Sequence, residues 1–248
     1  MRRRSPTWAA ELAVIDCLLF DLDGTLIDTT DLIFQSYQTA LASVLDQSLT
    51  HVELFVGYGQ PLPMSFGAML DGRGLVLEPE RRAATVDRLI AAYREFNVAN
   101  HDRLAREFAG VASTLVELKQ RGYTLGLVTS KARGIAERGL ILGGIAELFE
   151  TQVFMEDSSR HKPYPDPLWV ALERLGRREH PERAVYIGDS THDLRAGRAA
   201  GVRIAAALWG PFPPESLRAL EPDYLVDRVE DLLDRFPSLN RSPVGGPG

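Results

Sequence analysis

The apolar run Ala13-Val-Ile-Asp-Cys-Leu-Leu-Phe20 breaks off into Asp21-Leu-Asp-Gly-Thr25, and that junction constrains the fold more than any other stretch of the chain. A short apolar run closed by a glycine-containing turn is what a buried strand of a parallel sheet requires, because both of its faces are covered. Two carboxylates two positions apart at its C-terminal end project in similar directions from the sheet edge. The next run of the same kind, Tyr123-Thr-Leu-Gly-Leu-Val128, comes only far downstream, and after it the pattern tightens. Helical spacing from Lys131 to Leu142 precedes Phe149–Phe154, and Pro165–Leu175 precedes Ala184–Ile187. Thr191–Ala200 then precedes Val202–Ala207, and Tyr224–Val226 ends the series. Strands alternating with helices predict an α/β fold with a Rossmann-like, doubly wound parallel sheet.

The interval between the first two strands carries helical patterns only, at Asp31–Leu45, Thr50–Val56, Pro63–Leu70 and Pro79–Val98. An all-helical cap inserted at the carboxyl edge of the first strand accounts for this, at the place where open α/β sheets bind ligands. A lid there excludes water and completes the site. The expected organisation is a flexible N-terminal extension (1–12), a core of 13–28 and 110–236, a cap over 29–109 and a flexible tail over 237–248. Asp28–Thr29 and the Gly110 region are the expected hinges.

A net charge of −6 and a pI near 5.5 argue against nucleic acid as a partner, which needs a basic field. The basic run Arg2–Arg4 is followed by Glu11 and Asp16, which break up any secretory apolar segment. No apolar stretch is long enough to span a membrane. Cys17 is the single cysteine, so no intramolecular disulfide forms, in keeping with a cytoplasmic location. Within its apolar run it reads as a small buried hydrophobe. The chain is expected to act as a monomer or homodimer.

Four segments carry chemistry, each at or just after a strand end. Asp21 and Asp23 supply the oxygen donors that a hard cation wants, although a surface Asp-x-Asp-Gly turn uses the same residues. Thr129-Ser130 offers a hydroxyl and backbone N–H groups to a phosphoryl oxygen, or simply caps the helix that follows. Lys162-Pro-Tyr-Pro-Asp-Pro167 is stiffened by its prolines, which would fix the Lys162 ammonium. Gly188-Asp-Ser-Thr-His-Asp193 places Asp189 and Asp193 four apart as a helix begins, either as cation ligands or as residues favoured by the helix dipole.

Asp21, Asp23, Thr129, Lys162, Asp189 and Asp193, in that order, resemble the motifs of the haloacid-dehalogenase-like superfamily of aspartate-nucleophile phosphatases, and the likeness runs from about Val14 to Arg235. The resemblance implies that Asp21 attacks phosphorus to form an aspartyl phosphate. It also implies that Asp23 protonates the leaving oxygen and then activates water. Mg²⁺ would be held by Asp21, the Asp23 carbonyl and Asp189, with Asp193 beside them or as a further ligand. Thr129, Ser130 and Lys162 would bind the transferring group. Family members that dehalogenate lack an acid at the place of Asp23, which argues against dehalogenation.

Within the superfamily the chain is most similar to the phosphoglycolate phosphatases and PpaX-type pyrophosphatases. Gly59, Gln60, Pro61 and Leu62 sit where these relatives have a cap substrate loop. Many phosphoglycolate phosphatases carry an arginine where this chain has Pro63, so the carboxylate clamp that a guanidinium provides is missing there. The expected substrate is a small phosphorylated metabolite or pyrophosphate. A phosphomutase and a catalytically silent binding module remain as alternatives, and His192 has no assigned role.

Overall fold

The computed structural model describes residues 14–50, 53–55 and 58–239. Its strands in chain order are β1 (Cys17–Phe20), β2 (Ile27–Asp28), β3 (Arg106–Glu107), β4 (Thr124–Val128), β5 (Thr151–Val153), β6 (Ala184–Gly188), β7 (Arg203–Ala207) and β8 (Tyr224–Val226). Six of them form one parallel sheet in the order β5-β4-β1-β6-β7-β8. The chain runs outward from β1 on one side through β4 and β5, then crosses back to β6 on the other. That reversal puts a topological switch point beside β1, where the carboxyl ends of the strands open a crevice.

The four residues of β1 are fully buried because both faces of the sheet are covered. Leu18 and Phe20 join a cluster with Leu115 and Leu118, whereas Cys17 and Leu19 join one with Leu168 and Leu172 on the opposite face. The covering helices are α4 (Val111–Gln120), α5 (Arg133–Leu142), α6 (Asp166–Arg174) and α7 (Thr191–Ala200), with the short α8 (Pro214–Arg218) and α9 (Leu232–Arg235) near the end. At about 25 cal/mol per Å² of buried apolar surface, these layers dominate the stability of the sheet.

Between β2 and β3 lie α1 (Thr30–Leu45), α2 (Leu62–Gly72) and α3 (Pro79–Leu104). Tyr37 of α1 meets Phe66 and Tyr93 edge-on, with ring centroids 5.2 and 4.8 Å apart. Such pairs add on the order of 1 kcal/mol each beyond area burial. The apolar cluster of this insert continues into Leu194, Ile204 and Phe212 of the sheet layer, so insert and core share one packed seam.

The sheet, its parallel sense and its flanking helices agree with the sequence expectation, and the ends of several elements differ. β1 begins at Cys17, because the Asp16 carboxylate turns aside to Arg177 and Arg183. α3 continues to Leu104 instead of stopping at Val98, since no breaker intervenes and Asn97 and His101 are themselves buried. α5 starts at Arg133, two residues late, for a reason that belongs to the site. Of the helix expected over Thr50–Val56, residues 53–55 are helical and 51, 52, 56 and 57 lie outside the described residues.

The short antiparallel pairing of β2 with β3, unforeseen in the sequence, ties the exit of the insert to its entry. Gly110 then opens α4 at φ +85°, where a side chain would collide with Glu230. The expected N-terminal extension lies outside the described residues, as does residue 240 onward. Pro237 and Leu239 of the expected tail are held against the core, accepting from the Tyr123 hydroxyl and donating to the Arg121 carbonyl. Among the described residues no helix is long and apolar enough to cross a membrane.

Candidate active site

Strand register alone brings three of the four sequence segments together. Phe20 is level with Leu127 on one side and Ile187 on the other, so the residues that follow each strand emerge at one edge. The Asp21 N–H still donates to the Ile187 carbonyl at 2.9 Å, which fixes that residue at the strand tip. Beyond it the chain turns at Gly24 with φ +81°, where a Cβ would strike the Asp189 carboxylate. Glycine is required there both by the left-handed backbone and by the closeness of Asp189. The turn also places the Thr25 hydroxyl 3.0 Å from Asp189 Oδ1.

Lys162 is 1% exposed, and its Nζ lies 2.8 Å from Asp21 Oδ1, 2.6 Å from Asp193 Oδ1 and 3.1 Å from the Tyr186 hydroxyl. Tyr186 donates to the Val128 carbonyl at 2.9 Å, so the lysine is centred by strands β1, β4 and β6 together. Asp193 has a double role. Its Oδ2 takes the Ser190 N–H and hydroxyl as the return arm of a capping box at the start of α7, while Oδ1 meets Lys162. The helix-capping reading of this segment is therefore realised at Asp193, whose second oxygen faces the buried cluster.

One ammonium does not balance three buried carboxylates. Asp21, Asp189 and Asp193 each offer an oxygen within 4.8 Å of the others, all out of solvent. Burial pushes Asp21 up to about 7, with Asp193 and Asp23 adding to the rise and Lys162 opposing it. Burial, then Asp193 and Asp21, also holds Asp189 well above the ordinary carboxylate range. Asp193 is instead held below that range: burial raises it, but Lys162 and the Ser190 hydrogen bonds outweigh the rise. Lys162 is raised, its two carboxylate partners outweighing burial.

The residues present fit a divalent cation. Asp189 Oδ2 is buried with no hydrogen-bond partner, a costly state that a metal ion relieves. The donors are all carboxylate oxygens, which suit Mg²⁺. Asp21 and Asp189 are the direct candidates, because Asp193 already uses both oxygens on protein donors. The Asp23 carboxylate stands outside the trio.

Asp23 Oδ1 accepts from the Thr29 hydroxyl at 2.9 Å and from Lys131 Nζ at 2.6 Å. Lys131 is free to reach it because α5 starts two residues later than the sequence pattern implied. Ala132, at the start of that helix, makes no side-chain cap, so Thr129-Ser130 is not the helix cap that the alternative reading offered. Instead the Thr129 hydroxyl accepts the Lys131 N–H at 3.1 Å and shapes the turn. Ser130 Oγ is buried without a partner and, with Thr129, lines the same cavity as Asp21.

That cavity measures about 660 Å³ and lies between the sheet edge and the helical insert. Gly59, Gln60, Pro61 and Leu62 line it, as do Tyr37, Tyr93 and Arg94 from α1 and α3. The loop also touches the core directly. Gln60 Nε2 is 2.9 Å from His192 Nε2, and Gly59, at φ +78°, lies against Ser190. His192 thus receives a place, facing the insert, and burial lowers its pKa despite Asp193 beside it.

Lys131, Tyr186, Thr25, Thr29 and Tyr58 were not singled out in the sequence. Lys131 carried a weak signal as a cation just past a strand-end Thr-Ser pair. Tyr186 carried one as the only polar tip in an apolar strand.

The chain matches the haloacid dehalogenase-like hydrolase family over residues 18–207. It is 38% identical over 219 residues to pyrophosphatase PpaX of Bacillus velezensis, covering 88% of this chain and 95% of that one. To pyrophosphatase PpaX of Bacillus cereus it is 36% identical over 228 residues, covering 92% and 99% respectively. A crystal structure of a predicted phosphoglycolate phosphatase from Haemophilus somnus superposes with a TM-score of 0.78 at 23% identity, over 90% of this chain and 98% of that one. At that identity the likeness speaks for the fold alone.

Proposed function

This chain belongs to the haloacid dehalogenase-like hydrolase family, and on that premise we propose that it is a Mg²⁺-dependent phosphatase working through an aspartyl phosphate on Asp21. The observation that carries the reading is the Lys162–Asp21–Asp189–Asp193 cluster, buried at one strand edge, with Asp21 and Lys162 lining the cavity under the insert.

Phosphate-ester hydrolysis is among the slowest uncatalysed reactions, and accelerations reach about 10²¹. General acid–base help supplies about 10²–10⁴ of that, so covalent and electrostatic effects must add to it. In the first step an Asp21 oxygen bonds to phosphorus as the bond to the leaving oxygen breaks, and Asp23 gives that oxygen its proton. In the second, water attacks the same phosphorus, Asp23 takes the water's proton, and the Asp21–phosphorus bond breaks to release phosphate. Lys131 and Thr29 hold Asp23 in place for both transfers.

Thr129, Ser130 and Lys162 face the transferring group; the partnerless Ser130 hydroxyl supports this, because a buried donor without a protein acceptor is suited to a ligand oxygen. When bound to Asp21 and Asp189, Mg²⁺ supplies the positive charge that lets an anionic carboxylate approach an anionic phosphate. The insert acts as a cap that excludes water, and its contacts through Gln60 and Gly59 support a closed arrangement.

Inorganic pyrophosphate is the first candidate substrate, with compact phosphate monoesters next. Its support is the likeness to pyrophosphatases at 36–38% identity over most of the chain. Pro63 stands where many phosphoglycolate phosphatases carry an arginine, yet Arg94 lines the cavity from α3 and has no ion pair among the described residues. A guanidinium is thus available for a second anionic group. The test is phosphate release with Mg²⁺ from pyrophosphate, phosphoglycolate, sugar phosphates and nucleotides. Turnover of one compact substrate, abolished in Asp21→Asn, is expected; no release from any of them would overturn the reading.

A further inference from the structure

Among the described residues of the insert, Tyr58 alone combines deep burial, an orphaned polar atom and a place on the cavity wall. It is 2% exposed, its hydroxyl makes no hydrogen bond of normal geometry although the Thr29 side chain stands beside it, and it lines the cavity together with Asp21 and Asp23. A buried phenol normally finds an acceptor, so one left without a protein partner points to an acceptor that arrives with the ligand. Its ring is seated on the core. The ring packs edge-on against Phe212 of the core with centroids 5.7 Å apart, and Phe55 covers the same Phe212 ring at 5.2 Å. The next residue, Gly59, lies against Ser190, so the backbone there is pinned to the core as well.

The direction of the hydroxyl follows from its neighbours. Burial first, and then the charges of Asp189 and Asp23, push the phenol well above its ordinary pKa, with Thr29 close by. The group therefore stays a donor. Thr29 is also the residue that holds Asp23, and the anchors of the transferring group, Thr129, Ser130 and Lys162, stand on the core side of the cavity.

We propose that Tyr58 is a catalytic residue supplied by the insert, donating a hydrogen bond to the leaving-group side of the substrate next to Asp23. This rests on the phosphatase reading. It makes closure of the insert part of the chemistry: the phenol reaches the substrate only while its ring is seated on Phe212.

The test uses the full chain with Mg²⁺ and two probes in calorimetry, imidodiphosphate and orthophosphate, beside turnover of pyrophosphate. Tyr58→Phe keeps the ring and loses the donor, so its melting temperature is expected to be unchanged or raised. Its affinity for imidodiphosphate and its kcat/KM for pyrophosphate are expected to fall about 10- to 100-fold, as for a lost hydrogen bond to a charged group. Orthophosphate, which occupies only the transferring position, should bind as it does to the wild type. Phe212→Leu keeps the phenol but loosens its seat, and should show a smaller loss of the same kind.

Equal imidodiphosphate affinity in wild type and Tyr58→Phe would overturn the proposal, and so would an equal loss for orthophosphate. Tyr58-dependent binding with no phosphate release would sustain the Tyr58 assignment and sink the hydrolase reading. Failure of the wild type to bind either probe would overturn both.

Discussion

On the sheet side of the cavity, Asp21, Lys162, Asp189 and Asp193 are buried, ionisable and held by strand ends and a helix cap. On the helical side, Tyr37, Tyr58, Tyr93 and Leu62 present mostly apolar surface, with Gln60, Arg94 and Asn97 as polar exceptions. The first wall is organised by backbone register, so its geometry follows once the sheet forms. The second is organised by aromatic packing between helices, with Phe212 as its foothold on the core. On the proposed reading, the chemistry sits on the wall that the sheet fixes, and selection of what enters belongs to the wall that side-chain packing shapes.

The largest effect that separates the walls is expected from Asp21→Asn. Loss of a covalent nucleophile should lower turnover by roughly 10⁴–10⁶-fold, measured by steady-state phosphate release, while imidodiphosphate still binds. A modest loss would mean that the core wall does not carry the chemistry.

Next in size is Lys162→Met. It leaves three buried carboxylates without their ammonium and should cost about 3–5 kcal/mol of stability by urea unfolding without metal. Saturating Mg²⁺ should recover part of that loss by binding only the folded state. A silent substitution would show that water already compensates the cluster.

On the other wall, Gln60→Ala breaks the contact with His192 and should raise KM up to about tenfold with little change in kcat, the worth of one hydrogen bond. A fall in kcat that matched Asp21→Asn would erase the proposed division between walls.

The smallest effect concerns pH. In metal-free protein Asp21 is raised from 3.8 to about 7, so between those values the folded state holds a proton that the unfolded chain has lost. Its contribution to stability is full below the unfolded value and vanishes as pH rises through about 7. Wild type should therefore lose stability relative to Asp21→Asn over that window, read as a Tm difference that falls as pH rises. Mg²⁺ should flatten the difference. A difference that ran the other way would mean that Lys162, not burial, governs Asp21.

The contrast between the walls is also a contrast in what a sequence displays. The bounds expected for Thr191–Ala200 and Tyr224–Val226 are those of the structure, and Asp21, Asp189 and Lys162 meet at one edge, because short apolar strands followed by acidic turns are local patterns. Lys131 was hidden inside a helical pattern. Its contact with Asp23 spans 108 residues and depends on how β4 lies beside β1. Tyr58 was hidden for a similar reason: only the packing of the insert on Phe212 shows that its hydroxyl is stranded. Local periodicity gives elements, whereas a donor without an acceptor appears only once the elements are assembled.

The most direct test of the central claim is to acid-quench the enzyme during pyrophosphate turnover with Mg²⁺ and map the phosphoryl group by peptide mass spectrometry. The account predicts one phosphoryl group on the peptide that holds Asp21, discharged by hydroxylamine and absent in Asp21→Asn. Steady phosphate release with no modified peptide, undiminished in Asp21→Asn, would contradict it.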